Sequence, residues 1–182
     1  VKIIAIIRNP VDKAYSQYMH MIREGLESLS FQEALAAETG RQEQGWGDIW
    51  RYAESSLYAD RLNEFITVFG RENVKIVLFD DFSNRTPAVL ADLLQFIGVD
   101  PAGRIPTNEK FNRTGTQKNP FITKMMQHRS WLKTLVKFVL PSDIRFKLRN
   151  WIVTANTGDK PVLSPELRAT LLKYFHNDII RV

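Results

Sequence analysis

The chain has 182 residues, 44% of them hydrophobic and 25% charged, a composition typical of one soluble globular domain. It contains no cysteine, which excludes disulfides and thiolate chemistry, and its three histidines lie too far apart in sequence to predict a metal site. No apolar run is long enough to span a membrane and no signal peptide is evident, so we expect a cytoplasmic protein.

The net charge of +5 is concentrated in one part of the chain. Residues 118–149 contain eight Lys or Arg and a single acid, Asp143. A basic surface of this kind favours an anionic partner, such as a nucleotide, a nucleic acid or a lipid headgroup. The alternative is an ordinary solvated helix face whose charge is balanced by acids elsewhere in the fold.

The first elements in the chain are a strand and a helix. Residues 2–7 form a short Ile-rich run typical of a buried strand, and Pro10 begins an amphipathic helix over residues 11–23. Ser30, followed three residues later by Glu33, predicts a capping box at the start of the next helix. The polar stretch 40–47 contains glycine and predicts a loop.

A second helix and strand follow, and their order predicts the fold class. The pattern predicts a helix over 53–69 ended by Gly70, a strand over 73–79, and a helix from Pro87 to residue 97 ended by Gly98. Strand, helix and strand in this order are typical of an α/β fold with a parallel sheet. The remaining segments are a long loop at 100–120 and helices at 121–140, 143–154 and 165–182.

Only two strands are evident, which is few for an α/β domain. We therefore expect residues 1–182 to form a single domain whose first strand and helix lie upstream of Val1. The chain also lacks an initiator Met, which agrees with that expectation.

Arg8 and Ser16 form a candidate anion site. Arg8 follows the first predicted strand, at the edge where open α/β sheets bind ligands. Asn9-Pro10 then turns the chain into a helix, whose first N–H groups and positive dipole end suit a phosphate. Ser16 lies eight residues after Arg8 and adds a hydroxyl donor, while Arg8 supplies a permanent charge.

These residues resemble a known phosphate-binding motif. Arg8-Asn9-Pro10 after a strand, followed by Ser16, is similar to the 3′-phosphate motif of sulfotransferases that use 3′-phosphoadenosine 5′-phosphosulfate, and in particular to bacterial and heparan-sulfate-type domains. The resemblance continues in order over most of the chain, at residues 58–62, 73–77, 80–82, 93–99, 163–167 and 174–179.

The resemblance implies a fold, a cofactor and further binding residues. The fold would be a P-loop-kinase-like parallel sheet flanked by helices, with a helix-rich C-terminal third. In related enzymes a basic, glycine-containing loop covers the 3′-phosphate, and residues 110–119 lie in that position here. Tyr58 either approaches the adenine or packs in the core. The loop residues that the resemblance implies as cofactor contacts are Arg113, Thr114, Gly115 and Lys118.

The implied function is that of a sulfotransferase. It would move a sulfuryl group from 3′-phosphoadenosine 5′-phosphosulfate to an acceptor hydroxyl or amine and release adenosine 3′,5′-bisphosphate, with no metal. The family's phosphosulfate-binding loop and catalytic base are not recognisable, so we expect the catalytic residues upstream of residue 1. Trp46 and Trp50 are candidates for lining the acceptor pocket.

Two other functions remain open at this point. A nucleotide kinase shares the implied fold, and the missing phosphate loop is the feature that separates the two classes best. A basic helical module could instead bind nucleic acid or an anionic membrane through residues 118–149. We do not expect a nucleic-acid partner, because the aromatic residues of this segment, Trp131, Phe138 and Trp151, are predicted to pack inward.

Overall fold

The computed structural model describes residues 1–101, 118–119, 141–156, 158 and 161–182. In these residues the strands are β1 (Ile3–Ile7) and β2 (Val74–Leu78), and the helices are α1 (Pro10–Arg23), α2 (Phe31–Ala36), α3 (Glu38–Glu43), α4 (Ala59–Phe69), α5 (Phe79–Asn84), α6 (Thr86–Phe96), α7 (Ser142–Asn156) and α8 (Pro165–Arg181). Single 3-10 turns lie at Asp48–Trp50, Glu54–Ser56 and Arg71–Asn73. The predicted helix at 121–140 lies outside the described residues.

The two strands pair in parallel, which confirms the α/β prediction. The register aligns Ile3 with Val74 and Ile7 with Leu78. Because parallel strands need a crossover connection, the helices between them are a consequence of this pairing. The prediction of a fully buried β1 is wrong: the side chains of Ile4 and Ile6 are 39% and 47% exposed, and only Ile7 is buried.

The chain divides into two compact units, and α1 runs from one into the other. The first unit comprises Val1–Ala14, Arg51–Lys110 and Ser164–Val182, and the second comprises Tyr15–Trp50 and Phe111–Leu163. The prediction of one domain over 1–182 stays a prediction.

The first unit packs its helices around the sheet. The side chain of Phe96, on α6, lies between two lysines, with the Lys2 and Lys75 ammonium groups 4.9 and 5.5 Å from its ring centroid. These contacts hold α6 against both strands, because Lys2 precedes β1 and Lys75 lies in β2. The buried apolar residues of this unit include Ile7, Val11, Ala14, Tyr52, Ala59, Leu62, Val74, Val77, Leu93, Leu171 and Phe175.

The second unit has an aromatic cluster between α1 and α2. The ring centroid of Phe31 lies 5.1 Å from that of Tyr15 and 4.9 Å from that of Tyr18. Ser30 caps α2, and its backbone N–H donates in turn to the Glu33 carboxylate at 2.9 Å. The predicted capping box is therefore confirmed, and it positions Phe31 at the first turn of α2.

α5 (Phe79–Asn84) was not predicted, and the two largest differences in predicted boundaries are at α3 and α4. Residues 40–43 of the predicted loop belong instead to α3, in which the packing of the buried Arg41 side chain outweighs the helix-weakening effect of Gly40. The helix predicted from residue 53 begins instead at Ala59. Leu57 is extended there, and the Ser56 hydroxyl donates to the Tyr52 carbonyl at 2.6 Å, which closes a separate turn.

Gly70, which ends α4, has a backbone conformation that favours glycine, and its substitution tests this. Gly70 has a φ of +83°, and a Cβ added there would lie 2.5 Å from a Glu72 carboxylate oxygen. We expect Gly70→Ala to lower the free energy of unfolding by about 1–2 kcal/mol, measured by urea denaturation. The matched control is Gly40→Ala in α3, where an added Cβ meets no atom within 4 Å. It should raise the free energy of unfolding by about 0.5–1 kcal/mol, and similar losses for both variants would contradict this account.

Helix α7 turns apolar side chains toward solvent. Trp151 is 68% exposed, so the prediction that it packs inward is wrong. The helix instead directs Arg145 and Ile152, seven residues apart, toward the protein, and the stripe that carries Ile144, Leu148 and Trp151 lies outside. No helix in the described part of the chain is both long and apolar enough to cross a bilayer.

Candidate functional site

The candidate site lies at the edge of the sheet where β1 and β2 both end. The register aligns the last residues of the two strands, Ile7 and Leu78. The residues that follow them, Arg8 and Phe79, are therefore neighbours. The Arg8 guanidinium carbon lies 5.0 Å from the centroid of the Phe79 ring, a cation–π contact. Phe79 thus supports the guanidinium from one side at the edge predicted to bind a ligand.

The Arg8 side chain has unused hydrogen-bonding capacity. Its Nε is buried and has no hydrogen-bond partner among the described residues. No carboxylate of those residues forms an ion pair with its guanidinium. A buried donor without a partner is costly, and arginine donates to anions in a planar, bidentate geometry. The arrangement suits an anion such as a phosphate.

Tyr58 is a predicted cofactor residue whose pKa responds to Arg8. It immediately precedes α4 and belongs to the same compact unit as Arg8. Burial raises the pKa of the Tyr58 phenol above its ordinary value, while the backbone and charge of Arg8 act in the opposite direction. The phenol is thus protonated at neutral pH.

Asp178, near the end of α8, caps α4 from the other end of the chain. Its two carboxylate oxygens accept hydrogen bonds from the backbone N–H groups of Tyr58, at 2.8 Å, and Ala59, at 3.0 Å. Sequence reasoning did not identify this residue. A signal for it exists, because Leu171, Phe175 and Asp178 form one buried stripe and an acid in such a stripe needs a partner.

The start of α1 offers fewer donors than the sequence predicts. Asn9 Oδ1 accepts a hydrogen bond from the Val11 backbone N–H at 3.0 Å, and Pro10 has no N–H to donate. The first turn also carries a carboxylate, Asp12, whose oxygens accept from the Arg168 guanidinium at 2.8 and 3.3 Å. The expectation of a row of free amides at this helix end is therefore wrong for Pro10 and Val11.

Two other predicted cofactor residues, Ser16 and Lys118, lie in the second unit. Ser16 is half-buried on α1, and Lys118 is exposed, with its backbone N–H donating to the Asn156 carbonyl at the end of α7 at 2.8 Å. Arg8 and Tyr58, by contrast, both lie in the first unit. Arg113, Thr114 and Gly115 lie outside the described residues.

A second cluster of interest surrounds the two tryptophans predicted to line an acceptor pocket. Trp46 and Trp50 meet edge to face, with ring centroids 5.2 Å apart, and Trp46 is 42% exposed. The Arg41 guanidinium carbon lies 4.9 Å from the Trp46 centroid. Two nitrogens of that guanidinium donate to the buried Glu27 carboxylate, at 2.6 and 3.0 Å. The Arg41 guanidinium, held by Glu27, therefore packs against the partly exposed ring of Trp46.

Comparisons with known proteins agree with this geometry. The sequence model of the sulfotransferase family matches residues 1–102, more than half of the chain. The crystal structure of a sulfotransferase from Alicyclobacillus acidocaldarius superposes with a TM-score of 0.68 at 28% sequence identity. That match covers 100% of this chain and 52% of the other, so this chain spans about half of that protein's length. No curated protein sequence matches. The likeness confirms the predicted P-loop-like fold class.

Proposed function

This chain belongs to the sulfotransferase family, and we propose that it binds 3′-phosphoadenosine 5′-phosphosulfate through Arg8 as part of an enzyme that sulfates a hydroxyl or amine. The observation that carries the proposal is the Arg8 guanidinium, which rests on Phe79 and has a buried, unpartnered Nε among the described residues. An arginine held in this way fits the dianionic 3′-phosphate of such a nucleotide.

The proposed roles follow from the chemistry of each side chain. Arg8 binds the 3′-phosphate, and Tyr58 approaches the adenine. Ser16 adds a hydroxyl donor to the same phosphate, and the loop residues Arg113, Thr114, Gly115 and Lys118 close over it. When bound, 3′-phosphoadenosine 5′-phosphosulfate supplies the activated sulfuryl group. With these roles, the residues named here select the nucleotide, and the acceptor binds at a different surface.

For the acceptor we propose the Trp46–Trp50 surface. Arg41 holds one face of Trp46, and the buried Glu27 holds Arg41, so the ring presents a fixed apolar surface. A flat apolar or sugar ring that carries a hydroxyl fits such a surface, because aromatic side chains bind rings at low cost in conformational entropy.

Nucleotide selectivity tests the proposed cofactor. Isothermal titration calorimetry with adenosine 3′,5′-bisphosphate should give a Kd at least about tenfold lower than that of adenosine 5′-monophosphate, which lacks only the 3′-phosphate. A nucleotide kinase relative would instead prefer adenosine 5′-triphosphate. Equal affinities for the bisphosphate and the monophosphate would overturn the assignment of a 3′-phosphate site.

The exposed side of α7 favours a second candidate function. Phe146 and Trp151 are 62% and 68% exposed next to basic residues, as in helices that bind anionic membranes or nucleic acid. This function predicts binding to anionic vesicles or DNA that weakens steeply as salt increases, and no binding of the bisphosphate. The nucleotide titration therefore separates the two candidates.

A further inference from the structure

We propose that Arg168 is a positioning residue for the nucleotide site, which makes the start of α1 compatible with a bound anion by neutralising Asp12. The inference rests on the proposed function, because the anion in question is the 3′-phosphate assigned to Arg8. It adds a residue from the C-terminal helix, far from Arg8 in sequence, which acts through Asp12 and makes no contact with the nucleotide.

The first step is the place of Asp12 in the turn that follows Arg8. Asn9 directly follows Arg8 and caps α1. Its carbonyl accepts from the Lys13 N–H at 2.9 Å, and its side chain accepts from the Val11 N–H at 3.0 Å. Asp12 lies within this turn, about 4.5 Å along the helix axis from Asn9, because a helix rises about 1.5 Å per residue. That separation is well within the Debye length of about 8 Å at physiological ionic strength.

An unbalanced carboxylate at this place would oppose anion binding. Asp12 is the acidic residue of the first turn of α1. The positive end of the helix dipole attracts its charge as it would attract a phosphate, so the two negative groups compete for the same field. They also repel each other directly, because salt screens charges only weakly within a Debye length. A phosphate bound by Arg8 therefore needs a cation that balances Asp12.

Arg168, in the first turn of α8, supplies that cation. Its two terminal nitrogens donate to the two Asp12 carboxylate oxygens at 2.8 and 3.3 Å, the bidentate geometry of a strong arginine–carboxylate pair. The backbone N–H of Arg168 donates to the Ser164 carbonyl at 2.9 Å, and the Ser164 side chain caps α8. Arg168, Asp12 and Arg8 all belong to the first unit. The pair thus fixes a positive charge beside the start of α1.

Lys13, the other cation of this turn, has different partners. Its ammonium donates to the carbonyl and the hydroxyl of Ser55, both at 2.5 Å. Arg168 is therefore the cation that engages both oxygens of Asp12. The side chains of Arg168 and Asp12 are 41% and 30% exposed, so salt reaches the pair and its effect on binding should depend on ionic strength.

Two substitutions with opposite expected effects test this charge balance. The Kd of adenosine 3′,5′-bisphosphate is measured by calorimetry at low salt for the wild-type chain, Arg168→Ala, Asp12→Asn and the double variant. We expect Arg168→Ala to raise Kd by about three- to tenfold, because it leaves the Asp12 charge unbalanced. Asp12→Asn should instead lower Kd by about two- to fivefold, because it leaves the Arg168 charge unbalanced. The double variant, which keeps the balance, should stay within about twofold of the wild type.

The signs separate this role from a purely structural one. If the pair only joined α1 to α8, both single substitutions would weaken binding, and the double variant would bind as weakly as they do. Adenosine 5′-monophosphate, which lacks the 3′-phosphate, should respond less to both substitutions. The differences in Kd should also shrink as salt is raised from about 0.05 to 0.5 M.

Arg181→Ala is the matched control. It removes the same charge from the other end of α8, where Arg181 pairs with Asp60 of α4. It should leave the Kd nearly unchanged. Arg168→Lys keeps the charge, so it should recover most of the affinity lost in Arg168→Ala. If Arg168→Ala does not fold, the gain in affinity expected for Asp12→Asn tests the proposal by itself, because misfolding does not tighten binding.

Several outcomes would overturn the inference. An unchanged Kd in Arg168→Ala, an unchanged or higher Kd in Asp12→Asn, or an equal loss of affinity in Arg181→Ala would each exclude the role of Arg168. Arg8→Ala, measured in parallel, distinguishes this failure from failure of the proposed function. If Arg8→Ala weakens binding and the two opposite effects are absent, only the role of Arg168 is wrong. If Arg8→Ala has no effect, the nucleotide site itself is wrong.

Discussion

Arg8→Ala should raise the Kd of adenosine 3′,5′-bisphosphate by about ten- to a hundredfold. Hydrogen bonds to charged groups each contribute about 1.5–3 kcal/mol, and alanine removes the guanidinium that would make them. The cation–π contact to Phe79 is lost as well, but this contact orients the side chain and does not touch the ligand. Calorimetric titration of the two proteins measures the effect directly.

A matched arginine in the same unit controls for loss of positive charge. The Arg85 side chain is 67% exposed and pairs with Asp81 on the surface. Arg85→Ala also lowers the net charge by one, and it should leave the Kd nearly unchanged. Arg8→Lys should fall between alanine and wild type, because lysine keeps the charge and loses the planar fork. A similar loss in Arg8→Ala and Arg85→Ala would indicate attraction by overall charge in place of a specific site.

Glu27→Gln should lower the free energy of unfolding by about 3–5 kcal/mol, the largest loss of stability expected for a single substitution here. The Glu27 and Arg41 side chains are only 2% and 10% exposed, and they form two hydrogen bonds with each other. The Glu27 carboxylate also accepts from the backbone N–H groups of Ser28 and Leu29. Removing its charge takes a buried counterion away from the Arg41 guanidinium.

Urea denaturation measures this loss, and an exposed pair provides its control. Asp81→Asn disrupts the surface pair with Arg85 and should change the free energy of unfolding by about 0–1 kcal/mol. The fluorescence of Trp46 should also change in Glu27→Gln, because Arg41 lies against its ring. A change below about 1 kcal/mol for Glu27→Gln would mean that the ion pair is not desolvated as described.

The elements that local sequence determines were predicted well. Strong apolar patterns mark β1, α1 and β2, and Pro10 and Gly70 mark where the chain changes from one element to the next. The observed bounds of these three elements differ from the predicted ones by one residue at most. The capping box of Ser30 and Glu33 depends on two residues within one turn, so it too could be recognised. Local chemistry is enough for such features because their partners are close in sequence.

Features that depend on distant partners could not be predicted. α3 exists because Arg41 reaches Glu27, and the start of α4 depends on Asp178, which lies 120 residues after Tyr58 in the chain. In the candidate site, the position of Arg8 at a strand end follows from the sequence. Its neighbour Phe79 follows only from the strand register. The roles of Ser16, Tyr58 and Lys118 in cofactor binding stay predictions.

The open side of β1 has a consequence for the chain in solution. In the described residues β1 has one hydrogen-bonded neighbour, β2, and Ile4 and Ile6 are partly exposed. An Ile-rich strand with an unpaired edge is a template for another strand and lacks the charged residues that discourage such pairing. The 182-residue chain studied by itself is therefore expected to self-associate through β1 at high concentration, with Ile4 and Ile6 buried between copies. Such aggregates would grow from the same sheet that carries Arg8 at its end, so self-association would compete with the ligand for active protein.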